Sequence, residues 1–208
     1  MMFIEVLTEG ASDVPIIREV LTRHFKLREK DFRVHPHCGK GKIPSDLMAQ
    51  PSPKHRGLLD QLPAKLRGFG RYMDDSSLVL VLIDVDQDDC VQLLAQLKNL
   101  LAQLDFRPPR VLFRLAVEET ESWFLADTNA IALAFPKAKL KLIQNIPADA
   151  KVGAWEKLAE CLGKKTKDVT GSDKIQWAEK ISPHVNLQTP FSPSLGKLLS
   201  GLERELKH

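Results

Sequence analysis

Apolar residues in the first half of the chain fall into short unbroken runs separated by stretches of helical spacing. Phe3 to Leu7 is an apolar strand interrupted by one acid. Thr8-Glu9-Gly10-Ala11 reads as a turn, and Ser12 is placed to cap a helix running to about Phe25. Pro15 suits its first turn, where N–H groups lack partners, and Ile16, Ile17, Val20, Leu21 and His24 give it one buried stripe. Phe32 to His35 predicts a second strand, and Cys38 to Pro53, with its glycines, prolines and lysines, predicts a long mobile loop. Leu58 to Phe69 has helical spacing despite Pro63.

Ser77 to Ile83 is a continuous apolar run of strand length, which suits the centre of a parallel sheet covered on both faces. Asp89 to Leu104 predicts a helix, Val111 to Val117 a strand, and Glu119 to Asp127 a helix. Beyond Asn129 only short helices are expected, around Ala130 to Phe135, Trp155 to Leu162, Asp173 to Ile181 and Leu195 to Leu206. Alternating strands and helices imply right-handed crossovers and a parallel sheet. The expected architecture is a Rossmann-like α/β core over residues 1–128, its mostly parallel sheet flanked by helices. Residues 129–208 would form a helical C-terminal extension packed on that core as part of one unit.

Composition narrows this little further. The 208 residues, 43% hydrophobic, are enough for one core without staples. Three dispersed cysteines, Cys38, Cys90 and Cys161, lack a C-x-x-C pair and argue for a reducing compartment. The N-terminus reads as a strand and not a signal peptide, and the run Leu78 to Ile83 is too short to span a bilayer. A soluble cytoplasmic protein is expected.

The net charge of +3 is uninformative, but its distribution is not. Between Phe32 and Arg71, Arg33, Lys40, Lys42, Lys54, Arg56, Lys65, Arg67 and Arg71 are opposed only by Asp46 and Asp60. Such a segment either contacts phosphates, with Lys40, Lys42, Arg56, Arg67 and Arg71 as candidates, or is a solvated face.

Acids cluster where strands are expected to end. Glu9 follows the first strand, Asp84, Asp86, Asp88 and Asp89 the central one, and Glu118, Glu119 and Glu121 the last. Ligands of open parallel sheets bind beyond the carboxyl ends of the strands, so these acids would converge there. Crowded carboxylates repel, and Mg²⁺ (or Mn²⁺), which prefers hard oxygen ligands, would remove that cost. The plainer readings are that Asp13 favours its helix N-terminus, that Asp88 and Asp89 cap the next helix, and that Glu119 is solvated. Lys174 would either supply a cation to a transition state or be a solvated helix lysine.

Other readings are weaker. The Gly39-Lys40-Gly41-Lys42 loop lacks P-loop spacing, so nucleotide binding is not implied. His35, His37 and Cys38 have no second ligand pair to complete a zinc site. Trp123, Trp155 and Trp177 lie in apolar helical patterns and read as anchors.

The order Glu-Gly-x-Ser-Asp from Glu9, then hydrophobic-Asp-x-Asp ending at Asp86, resembles the Toprim domain of topoisomerases, primases and overcoming-lysogenization-defect nucleases. The resemblance implies that Glu9 acts as acid or base and that Asp84 and Asp86 bind metal. The nuclease branch adds an acid four residues after the first, matched by Asp13, and a third acidic position, matched by Glu118, with Glu121 beside it. More narrowly, GKGKIPSDL, VLIDVDQDDC, AVEETESWFLAD and SPSLGKLLSGL look like motifs of the domain-of-unknown-function 4276 family. That family is regarded as Toprim-like and often accompanies ATPases in prokaryotic defence loci. Its most specific parts here are Glu118-x-x-Glu121-x-Trp123 and Ser192-Pro193-Ser194; Leu195 stands where phenylalanine is expected.

The expected function is a Mg²⁺-dependent nuclease, a defence effector controlled by a partner ATPase. Two alternatives stay open: a metal-dependent phosphohydrolase of small esters, and a degenerate Toprim-like module that binds without catalysis. DNA or RNA as substrate, one metal or two, and the oligomeric state are not legible.

Overall fold

The computed structural model describes residues 2–207. Four strands, β1 (Phe3–Thr8), β2 (Phe32–Pro36), β3 (Ser77–Asp84) and β4 (Val111–Ala116), form one all-parallel sheet in the order β2-β1-β3-β4. Each lies within a residue of its expected position. The two central strands, β1 and β3, carry the most continuously buried residues, as covering on both faces requires.

Strand alternation sorts the core into two layers. Even-numbered Ile4, Val6, Leu78, Leu80, Leu82 and Leu112 face one cluster. It is completed by α1 (Val14–Glu19), α4 (Glu121–Ala126), α5 (Thr128–Ala134), α6 (Ala154–Cys161), α7 (Gly171–Ile181) and α8 (Pro193–Leu206). Odd-numbered Leu7, Val79, Val81, Ile83 and Phe113 face the other, built with α2 (Leu58–Phe69) and α3 (Cys90–Ala102). Helices that follow β4 in sequence thus share an apolar cluster with β1 and α1. Among the described residues, no helix is long and apolar enough to cross a membrane.

Two expectations are corrected. The first helix is not regular and Ser12 does not cap it. Gly10 holds the capping position, Asp13 Oδ2 accepts its N–H at 3.0 Å, and Ala11–Asp13 is a 3₁₀ turn before α1. The carboxylate is thereby turned back toward the end of β1. Val20–His24 then widens into a π turn, from which Arg23 donates to the carbonyls of Ser182 and Val185.

The start of the expected mobile loop is pinned. The carbonyls of Gly39 and Lys40 accept the otherwise unpaired N–H groups of Leu58 and Leu59 at the start of α2. Asp60 accepts the N–H groups of Gly57 and Lys42. The approach is so close that a Cβ on Gly57 would lie 2.5 Å from the Gly41 backbone, and Gly41 itself has φ +68°. The structural consequence is a fixed direction for the Lys40 side chain.

Candidate metal-binding carboxylate site

The site lies where parallel strands end and the chain must turn away. As β1 leaves the sheet after Thr8, the Asp84 N–H on β3 loses its ladder partner, and Glu9 Oε1 accepts it at 3.0 Å. Gly39 N–H donates to the Glu9 carbonyl at 2.8 Å, fixing the same turn from the β2 side. The carboxylates of Glu9, Asp13, Asp84, Glu119 and Glu121, with Lys174, line a cavity of about 160 Å³.

The acids differ in their support. Thr120, itself buried, donates its hydroxyl to Asp13 Oδ1 at 2.8 Å and lies 3.5 Å from Glu121 Oε2. Lys174 Nζ stands 3.8 Å from Glu121 Oε1 and 4.5 Å from the centre of the Trp155 ring. It is aimed there by α7, whose N-terminus is capped by Thr170 with Asp173. Glu119 Oε2 is buried and, among the described residues, has no hydrogen-bond partner.

Burial and mutual repulsion hold these groups far from ordinary carboxylates. Burial first, then the Asp86 and Asp13 charges, push Glu9 up to about 8 against the pull of the Asp84 N–H and Lys40. Burial and then Glu121 push Glu119 up to about 8, and the same two causes take Asp13 to about 6. Asp84 is raised well above its usual range by burial and by Asp13, Glu9, Glu121 and Glu119. Glu121 is raised by burial, with Lys174 opposing. Among the residues lining the cavity, five carboxylates face a single ammonium.

Such a set of hard oxygens, with one oxygen orphaned and too little positive charge, fits the chemistry of Mg²⁺. The geometry is not that of a finished site. Among the described residues, no group of three or more His, Cys, Asp or Glu side chains is arranged so as to hold a metal ion as it stands.

Other sequence candidates lie elsewhere. Asp86 has φ +50° and its side chain is 47% exposed. It meets Lys40 Nζ at 3.1 Å, and Asp88 meets the same ammonium at 2.6 Å. Burial alone would lower the Lys40 ammonium, but its hydrogen bonds to Asp88 and Asp86 hold it above its ordinary value. Asp89 caps α3 by accepting from Val91 and Gln92, whereas Asp88 is taken by Lys40. Glu118, at φ +61°, turns its carboxylate away to accept the N–H groups of Val152 and Gly153 at 3.1 and 2.7 Å. Glu119, expected to be solvated, occupies the cavity instead. A left-handed glutamate costs about 1–2 kcal/mol, and here it delivers its successor to the site. Lys174 likewise is only partly exposed and faces the acids.

Of the proposed phosphate contacts, Lys42, Arg56 and Arg71 are exposed, Arg71 lying over Phe106. Arg67 donates to the carbonyls of Met48 and Ala49. His35 is paired with Glu5 at 2.6 Å, and His37 Nδ1 sits 2.8 Å from the Thr8 carbonyl.

The four sequence segments singled out above close on one another. Lys40 joins the first to the second, and Trp123 Nε1 donates to Ser194 Oγ at 2.7 Å, joining the third to the fourth. Asp149 binds the Ser194 N–H and both serine hydroxyls, and Leu195 is buried in the core. Residues 8–203 match the family model described as Domain of unknown function (DUF4276). The chain belongs to that family. The DUF4276 match runs from the end of β1 into α8 and so takes in every residue of the carboxylate cavity. No curated protein and no solved structure matches the chain.

Proposed function

We propose that this DUF4276 chain is a Mg²⁺- or Mn²⁺-dependent, Toprim-type nuclease, its α/β sheet a Rossmann-like core. The observation that carries the reading is the set of five carboxylates around one small cavity at the carboxyl edge of the sheet, left with one lysine for company. Structural acids are normally paired or solvated, so a buried anionic cluster of this kind points to a cation-dependent task.

In this reading Asp84, Asp13 and Glu121 hold the cation, with Glu119 in reserve. Bound there, a divalent ion would supply Lewis-acid stabilisation of charge on a phosphodiester and its leaving oxygen. Glu9 Oε1 is fixed by the Asp84 N–H, which leaves Oε2 as the oxygen that would carry a proton. Its carboxyl, pushed up to about 8, suits a group that gives and takes protons near neutral pH. Lys174 neutralises charge from the opposite wall. The exposed Lys42 and Arg56 would contact a nucleic-acid backbone, whereas Arg71 lies with Phe106 at the opposite edge of the sheet; a partner ATPase would control access.

Cleavage of labelled DNA and RNA with Mg²⁺ or Mn²⁺ tests this. Glu9→Gln should slow cutting by about 10²- to 10⁴-fold without unfolding the chain. Undiminished cutting by that variant would remove Glu9 from the chemistry. The small cavity also favours a second reading, hydrolysis of small phosphate esters, and a panel of such esters assayed alongside separates the two.

A further inference from the structure

β4 is an edge strand, and its outer side is not closed. Val79 N–H donates to the Arg110 carbonyl and Val85 N–H to the Ala116 carbonyl, so even-numbered residues of β4 face β3. The N–H groups of Phe113, Leu115 and Val117 and the Leu115 carbonyl therefore point outward. Two outward carbonyls are already taken, Phe113 by Arg114 Nη1 and Val117 by Ser122 Oγ.

A cavity of about 560 Å³ lies against this edge, between α3 and α8. Its walls are apolar, from Val91 (77% exposed) and Leu94 on α3 and Phe113 and Leu115 on the strand. Its cations are Lys98, Arg114, Lys197 and Arg204. Among the described residues, the side chains of Lys98, Lys197 and Arg204 make no hydrogen bond or ion pair. Nearby Glu203 and Glu205 are committed to Lys207 and Arg110, and the lining acid, Asp149, is committed to Ser192 and Ser194. Burial first, then the Arg204 charge, lowers the Arg114 guanidinium, with Glu205 opposing.

We propose that the open edge of β4 is a docking groove for an extended acidic-apolar segment of a partner polypeptide, which adds as a strand between α3 and α8. Unpaired backbone donors supply strand addition, the walls accept apolar side chains, and the cations select acidic ones. A second copy of this chain is a poor occupant, because β4 would bring another cationic rim and the opposite edge, β2, carries the exposed Arg33. Single-stranded nucleic acid is disfavoured because Phe113, the groove's aromatic ring, is buried and offers no face for stacking.

The test uses the full chain in EDTA, which keeps the carboxylate site out of play. The probe is a fluorescein-labelled octapeptide of alternating Glu and Val, read by fluorescence polarisation. Saturable binding is expected. It should weaken at least about 10-fold when Lys98→Glu, Lys197→Glu and Arg204→Glu are combined, all exposed positions, and measurably for Lys98→Glu alone. A Lys-Val octapeptide should not bind, and N-methylation of alternate residues of the Glu-Val peptide should cost a similar factor. The proposal is overturned if the Glu-Val peptide fails at millimolar concentration or if the N-methylated peptide binds equally well. It is also overturned if an eight-nucleotide oligothymidylate competes for the same cations, or if sedimentation shows self-association that the triple variant abolishes.

Discussion

Two acidic regions lie side by side at the carboxyl edge of the sheet, the cavity around Asp84 and the corner where Asp86 and Asp88 meet Lys40. Asp84 of the first and Asp86 and Asp88 of the second lie within five residues of sequence. In the corner, two carboxylates share one ammonium and remain open to water, so each is both paired and solvated. In the cavity, five carboxylates crowd one lysine, and burial raises every one of them. The left-handed turn at Asp86 separates the two. Charge count alone therefore does not mark a cation site; what marks it is charge left without a partner.

The sharpest way to break this contrast is to remove one acid from each side. Asp84→Asn should lower metal-dependent cleavage by about 10³-fold or more, the scale of losing a bound Lewis acid. Asp86→Asn should cost no more than about 10-fold, the lower end for a supporting group. Equal losses in the two variants would dissolve the distinction. Lys174→Met comes next, with an expected loss of about 10²-fold in turnover, while the chain keeps its helical circular dichroism.

A third change acts on the support and not the site. Glu118→Ala leaves two N–H groups without their acceptor and should destabilise the chain by about 1–3 kcal/mol in urea unfolding. Faster hydrogen exchange in residues 150–156 should accompany it.

The smallest effect is on pH. Glu9 and Glu119 titrate near 4.5 when unfolded and at about 8 in the fold, and Asp13 moves from 3.8 to about 6. Between those values the folded chain binds more protons than the unfolded one, so their contribution is complete below about 4.5 and fades as pH rises to 8. In EDTA the urea midpoint should fall between pH 5 and pH 8, and Mg²⁺ should reduce that fall.

The sheet was legible because unbroken apolar runs such as Ser77 to Ile83 have few alternatives. Glu9, Asp84 and Glu121 were legible as strand-end acids, since parallel topology carries all strand ends to one edge, and Asp13 only through the family resemblance. What escaped was decided by single dihedral angles. Positive φ at Glu118 exchanges the roles of Glu118 and Glu119, and positive φ at Asp86 sends it toward Lys40, although a plain reading pairs it with Asp84. No pattern of residue types announces those turns. Lys40 was misjudged as a mobile cation because the hydrogen bonds that fix its loop come from the backbone of α2. The irregular start of the first helix depends on Asp13 bonding back to Gly10, a contact that Ser12 disguised in sequence.

Calorimetric titration of Mg²⁺ and Mn²⁺ into the wild-type chain and Asp84→Asn tests the central claim most directly. Saturable binding that tightens from pH 6 to pH 8, releases protons, and disappears in the variant is the expected result. Absence of binding at pH 8, or binding that survives the loss of Asp84, would contradict a cation site in this cavity.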